Sequence, residues 1–99
     1  MLTLPQIVSQ IREQKPGVVP ECFDFVQEVP AIFVLEAALW RESARRDDGA
    51  VWWSGVPEPQ WNAMAPGQAM GDDTQSFGSD PLALIRALCH AIGVRLEDG

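Results

Sequence analysis

Ten consecutive residues, Ala31 to Trp40, read AIFVLEAALW, and nine of them are apolar. No other stretch limits the fold as strongly. The run is half the length of a membrane span, which needs about twenty apolar residues, and Glu36 interrupts it. Pro30 stands just before it, where a helix can open at no cost in hydrogen bonds. A helix that is apolar all round normally lies at the centre of its domain. The run therefore reads as a central helix. Phe33, Ala37, Trp40 and Ala44 lie along one face, and Ile32, Leu35 and Leu39 along another. On this reading Trp40 is a core residue. The charged continuation RESARRDDG allows Glu42 to meet Arg45 or Arg46, and its arginines oppose the negative end of the helix dipole. Asp47-Asp48-Gly49 reads as a stop and turn.

A central helix needs partners, and the flanking sequence offers two. Thr3 and Gln6 match a capping box, with Pro5 in the first turn and Leu4, Ile7, Val8 and Ile11 at helical spacing. The spacing predicts a helix over Leu4 to Gln14, ended by Lys15-Pro16-Gly17. Near the other end, Asp80 and Pro81 read as a helix start. Leu82, Ile85, Leu88, Cys89 and Ile92 form an apolar stripe, and Gly93 supplies a left-handed turn with Val94 packing back. The segment VVPECFDFVQEVP, Val18 to Pro30, is ambiguous: Cys22, Phe23, Val26 and Val29 fit a short helix started by Pro20, preferred here, while Phe23, Phe25 and the preceding valines fit a short strand.

Gly49 to Met64 differs from the rest, with three of the chain's four tryptophans. Its start, AVWWS, reads as one short strand. Alternation sets Val51 and Trp53 on one face and Ala50, Trp52 and Ser54 on the other. Trp53 is thereby expected in the core. Residues 55 to 79 read as one long loop rich in proline and glycine. A loop of that length is usually functional, disordered or conceals an element. The expected fold is one domain over residues 1–99, mainly α with one short β element in a compact helical arrangement. The alternative is small α+β, with helices packed on a short antiparallel sheet.

Composition narrows function mostly by exclusion. Fourteen acidic against seven basic residues give a net charge of −7, which opposes direct nucleic-acid binding and anionic membranes. The start MLTLPQIVSQ has no charged n-region followed by an apolar stretch, so the chain reads as cytoplasmic, with Cys22 and Cys89 reduced. Cys89-His90 cannot act as a nucleophile and base, because adjacent residues on a helix point apart. The cysteines read as small core residues. Asp47-Asp48 and Asp72-Asp73 lack the alternating oxygen ligands and late glutamate of a calcium loop, so no metal is expected. Arg41, Arg45 and Arg46 are flanked by Glu42, Asp47 and Asp48 and read as a solvated helix end. No cofactor motif is present, and the expectation is a protein without enzymatic activity.

Exposed tryptophan and methionine mark protein contacts, which singles out Trp52, Trp61, Met64 and Met70 as the candidate contact surface. The competing reading makes Trp61 a lid over the protein's own core. Asp47, Asp48, Asp72, Asp73 and Asp80 are the candidate acidic surface, which could alternatively mimic nucleic acid against a DNA- or RNA-binding protein. Self-association through the tryptophans is a third reading.

The C-terminal third adds a resemblance. Trp61-Asn62, Asp72-Asp73, the helical stretch from Leu82 to Leu88 and Gly93-Val94-Arg95-Leu96 resemble the ending of small accessory proteins of bacteriophages and prophages, of the phage sandwich-domain type. Ala63 replaces the family's proline, and Thr74 to Ser79 lengthen the step from the acidic pair to the helix. The resemblance carries no catalytic residue. It implies a small phage-type protein in the host bacterial cytosol that binds a host protein and inhibits or diverts it; the net charge of −7 suits a partner that is basic or nucleic-acid-binding.

Overall fold

Thr3 and Gln6 bond each other's backbones. Gln6 Oε1 accepts from the Thr3 N–H at 2.8 Å, and Thr3 Oγ1 accepts from the Gln6 N–H at 3.4 Å. This capping box opens α1, Leu4–Gln14, whose apolar stripe of Leu4, Ile7, Val8 and Ile11 is buried. The computed structural model describes residues 2–21, 23, 28–45, 50–65 and 74–97. They form α1, α2 (Glu28–Arg45), β1 (Ala50–Ser54), β2 (Gln60–Met64), β3 (Thr74–Gly78) and α3 (Ala83–Ala91).

The three strands form an antiparallel meander in the order β1-β2-β3. Val51 pairs with Ala63 and Trp53 with Trp61, while Trp52 pairs with Asn62 and Ala50 with Met64. A bulge between Trp61 and Asn62 shifts β3 by one residue. One face of this sheet carries Val51, Trp61, Ala63 and Phe77 against α3. Ala63, Ala87 and Ala91 are all buried at this contact, and their small side chains let the helix approach β2 closely. The other side of α3 packs with α1 and α2 around Ile7, Ile11, Leu35, Leu39, Ile85 and Leu88. Thus α3 sits between the sheet and the other two helices.

The ends of α3 show two different local solutions. At its C-terminus the Val94 N–H donates to the Cys89 carbonyl at 2.8 Å and the Gly93 N–H to that of His90 at 3.2 Å. With Gly93 at φ +86°, this is a Schellman turn that returns Val94 to the core. At the N-terminus the helix begins at Ala83, later than the Asp80-Pro81 signal implies. Asp80 still receives the Leu82 N–H at 3.3 Å, but its carboxylate is mainly engaged by Arg86.

Beyond the Schellman turn the chain runs along α1. Gln10 and Gln14 each bond both backbone groups of one residue there, Glu97 and Arg95 respectively. Four residues of helix rise about 6 Å and two of extended chain about 6.6 Å, so the two side chains match alternate residues of the segment.

The architecture corrects the expected mainly α fold with one short β element: it is α+β, with helices on a three-stranded antiparallel sheet. The expected loop over 55–79 contains β2 and β3. Neither strand advertises itself, because QWNAM and TQSFG contain one β-branched residue between them and several of their positions are polar. The expected central position of the apolar helix is also corrected. Only the Leu35 and Leu39 side of α2 is buried, whereas Phe33 is 64% exposed and Trp40 41%. Among the described residues, α3 takes the central place, packed against α2 on one side and all three strands on the other. In the ambiguous segment Val18 to Pro30, residues 18–21 and 23 are in neither helix nor strand and residues 28–30 belong to α2, while residues 22 and 24–27 lie outside the described residues. No described helix is long and apolar enough to cross a membrane.

Candidate functional site

Strand alternation distributes the aromatic residues of the meander over two faces. Trp53 and Trp61 are cross-strand partners on the α3 side, and their rings meet edge-on with centroids 5.2 Å apart. Trp61 is half-buried and packs against the Ala63–Ala87–Ala91 contact. Trp53 is 48% exposed, which corrects its expected core position. Trp53 shares the α3 side with Val51, but β1 is an edge strand, and there α3 buries Val51 more than Trp53.

Trp52 lies on the opposite face and is 41% exposed. Its cross-strand partner Asn62 is buried, and Ser76 continues the row on β3. Ser76 Oγ donates to Asn62 Oδ1 at 2.8 Å, so the carbonyl end of this buried amide is satisfied beside the indole. Met64, two residues along β2 from Asn62, shares the face and is half-buried. Trp52 and Met64 are therefore diagonal neighbours. Of the four candidate contact residues, these two share a surface. Trp61 is on the other side of the sheet, and Met70 lies outside the described residues.

The candidate acidic surface is represented by Asp80 alone, since Asp47, Asp48, Asp72 and Asp73 lie outside the described residues. Asp80 forms a bidentate pair with Arg86, at 2.9 and 2.7 Å. The arginine's hydrogen bonds hold the carboxyl below its ordinary range. Arg86 also donates to the Phe77 carbonyl at 2.7 Å, tying the end of β3 to α3. This pair is a structural joint whose charge is already matched.

A cleft of about 520 Å³ lies beside it, bordered by Gln75, Phe77, Arg86, His90 and Arg95. Phe77 and His90 are in tilted ring contact at 5.7 Å. Arg86 faces this cleft already engaged with Asp80. Cys89, next to His90 in sequence, is fully buried, and burial pushes its thiol up to about 12, so it packs as a small apolar residue. Among the described residues no three of His, Cys, Asp and Glu gather as a metal site.

Sequence reasoning missed the larger exposed apolar surface, the α2 face bearing Val29, Phe33, Val34 and Trp40. The signal was present in the spacing of Phe33, Ala37, Trp40 and Ala44, but assuming burial on all sides concealed it. Compared with protein-family models, curated proteins and solved structures, the chain matches none.

Proposed function

We propose that this chain is a small non-enzymatic accessory protein of phage type that binds a host protein and modulates or inhibits it. The observation that supports this reading is the outer face of the sheet. There Trp52 stands exposed with Met64 beside it, on strands fixed by continuous pairing. A rigid indole loses little conformational entropy on docking, and a thioether adapts to the surface it meets. The net charge of −7 speeds encounter with a basic partner, while the apolar pair supplies residence time.

The nucleic-acid-mimic reading draws no support from Asp80, whose charge is matched by Arg86. The two readings differ in their response to salt, because exposed charges are screened and apolar contacts are not. The test is capture of partners from a bacterial host lysate at two ionic strengths, using the wild type and Trp52→Ala. The expected result is a partner retained at both ionic strengths and lost with the variant. Equal recovery of every partner by both proteins sinks the proposal.

A further inference from the structure

On α2, Phe33 and Trp40 are seven residues apart, and so are Ala37 and Ala44. Steps of four and three alternate between them, which is the spacing of a coiled-coil seam. All four are exposed, so among the described residues the seam has no partner. Val34 and Arg41 flank it on one side, and Val29, Glu36 and Ser43 on the other. We propose that this face pairs with the same face of a second copy of the chain, the two helices running antiparallel about a two-fold axis.

The direction follows from side-chain size. In an antiparallel pair Phe33 lies opposite Ala44 of the second copy, and Trp40 opposite Ala37 of the second copy. The two-fold axis repeats both matches. Every layer then holds one large and one small side chain, so one interhelical distance suits the full seam. A parallel pair would stack Trp40 on Trp40 and Phe33 on Phe33, with a layer of two alanines between. No single separation packs both kinds of layer without a void or a clash. Antiparallel helix dipoles also oppose each other favourably.

Charge permits the contact in spite of the chain's −7. Residues 29–45 contain Glu36 and Glu42 against Arg41 and Arg45, which balance, and Glu42 and Arg45 approach to 3.5 Å. The acidic excess therefore lies elsewhere, and the two faces meet without net repulsion. The flanks bring Val34 under the aliphatic stem of Arg41 of the second copy, and Glu36 near Ser43 of the second copy.

Area sets the strength. Val29, Phe33, Val34 and Trp40 together expose roughly 400 Å² per copy on ordinary side-chain areas, against about 800 Å² per partner in a standard interface. The contact is at the low end of interface sizes, so the pair is expected to be reversible, with a population that depends on concentration. This face is separate from the sheet face that bears Trp52, so the two can be disabled independently.

Sedimentation equilibrium of the full chain over a concentration series tests the proposal, with Phe33→Glu and Trp40→Glu beside the wild type. The wild type is expected to show a monomer–dimer equilibrium, and each variant to stay monomeric with an unchanged circular dichroism spectrum. Oxidative cross-linking tests the direction, with oxidised wild type as the background. Phe33→Cys mixed with Ala44→Cys is expected to yield a mixed disulfide. Ala44→Cys alone is not, because an antiparallel pair holds those two positions about 16 Å apart along the axis. A wild type that is monomeric at every concentration overturns the proposal. So does dimerisation unaffected by both glutamate variants, and so does Ala44→Cys cross-linking to itself as readily as the mixture.

Discussion

Gln14 grips Arg95 by both backbone groups: its Nε2 donates to the Arg95 carbonyl at 2.6 Å, and its Oε1 accepts from the Arg95 N–H at 2.7 Å. Gln10 repeats the arrangement on Glu97 at 2.8 and 2.6 Å. Two amides one helical turn apart thus act as a pairing strand for the end of the described chain. They hold Val94 and Leu96 against the core.

Replacing both glutamines by alanine removes four hydrogen bonds at solvent-accessible positions. Each is worth about 0.5–1.5 kcal/mol, less where water substitutes. The expected outcome is a loss of about 1–3 kcal/mol in urea unfolding. Amide exchange at Arg95 and Glu97 rises sharply, while the α3 amides keep their protection relative to global stability.

The contact of α3 with β2 is built from alanines, and it has no room for more. Ala87→Leu adds three carbons where the residue is fully buried between helix and sheet. It is expected to cost about 1–3 kcal/mol, read as a lower denaturant midpoint. It also disturbs the edge-on contact of Trp53 and Trp61, so the tryptophan fluorescence of the folded state changes with it.

Gly93 at φ +86° closes the Schellman turn. A side chain there is strained, and Gly93→Ala is expected to cost about 1 kcal/mol. Thermal unfolding checks this, with a lowered midpoint as the expected result.

Two carboxylates respond to pH with opposite sign. Asp80 has a folded pKa below its ordinary 3.8, because of Arg86. Its stabilising contribution is complete above that value and is lost as pH falls through the lower folded value. Asp80→Asn is expected to lower stability at pH 7 and to flatten the acid limb of the stability curve. Burial raises the pKa of Glu36 above its ordinary 4.5. Stability from its protonated form is complete below that value and is lost as pH rises through the higher folded value. Glu36→Gln is expected to leave stability at pH 7 equal to or above that of the wild type. Both are read from thermal midpoints across pH 3–8, at concentrations low enough to keep the chain monomeric.

What the sequence made legible was local. The capping box at Thr3 and Gln6, the α1 stripe, the β1 strand with its two faces and the left-handed Gly93 all involve residues within a few positions of each other. What it concealed depends on partners far along the chain. β2 and β3 are strands because they pair, and their composition alone reads as loop. The exposure of Trp53 follows from being at a sheet edge, where α3 buries Val51 more than Trp53, which alternation within AVWWS cannot reveal. The same holds for α2: nine apolar residues in ten implied enclosure, yet α1 and α3 cover only one side of it. For the candidate contact surface, the residue types pointed to tryptophan and methionine. Only the register of the meander separates Trp52 and Met64 from Trp61.

The most direct test of docking through the outer sheet face is site-specific photocrosslinking in a host lysate. A photoreactive phenylalanine derivative replaces Trp52 in one protein and Trp61, on the opposite face, in another. A discrete adduct with a host protein is expected from position 52 and none from position 61. No adduct from position 52, or the same adduct in equal yield from both positions, would contradict docking through that face.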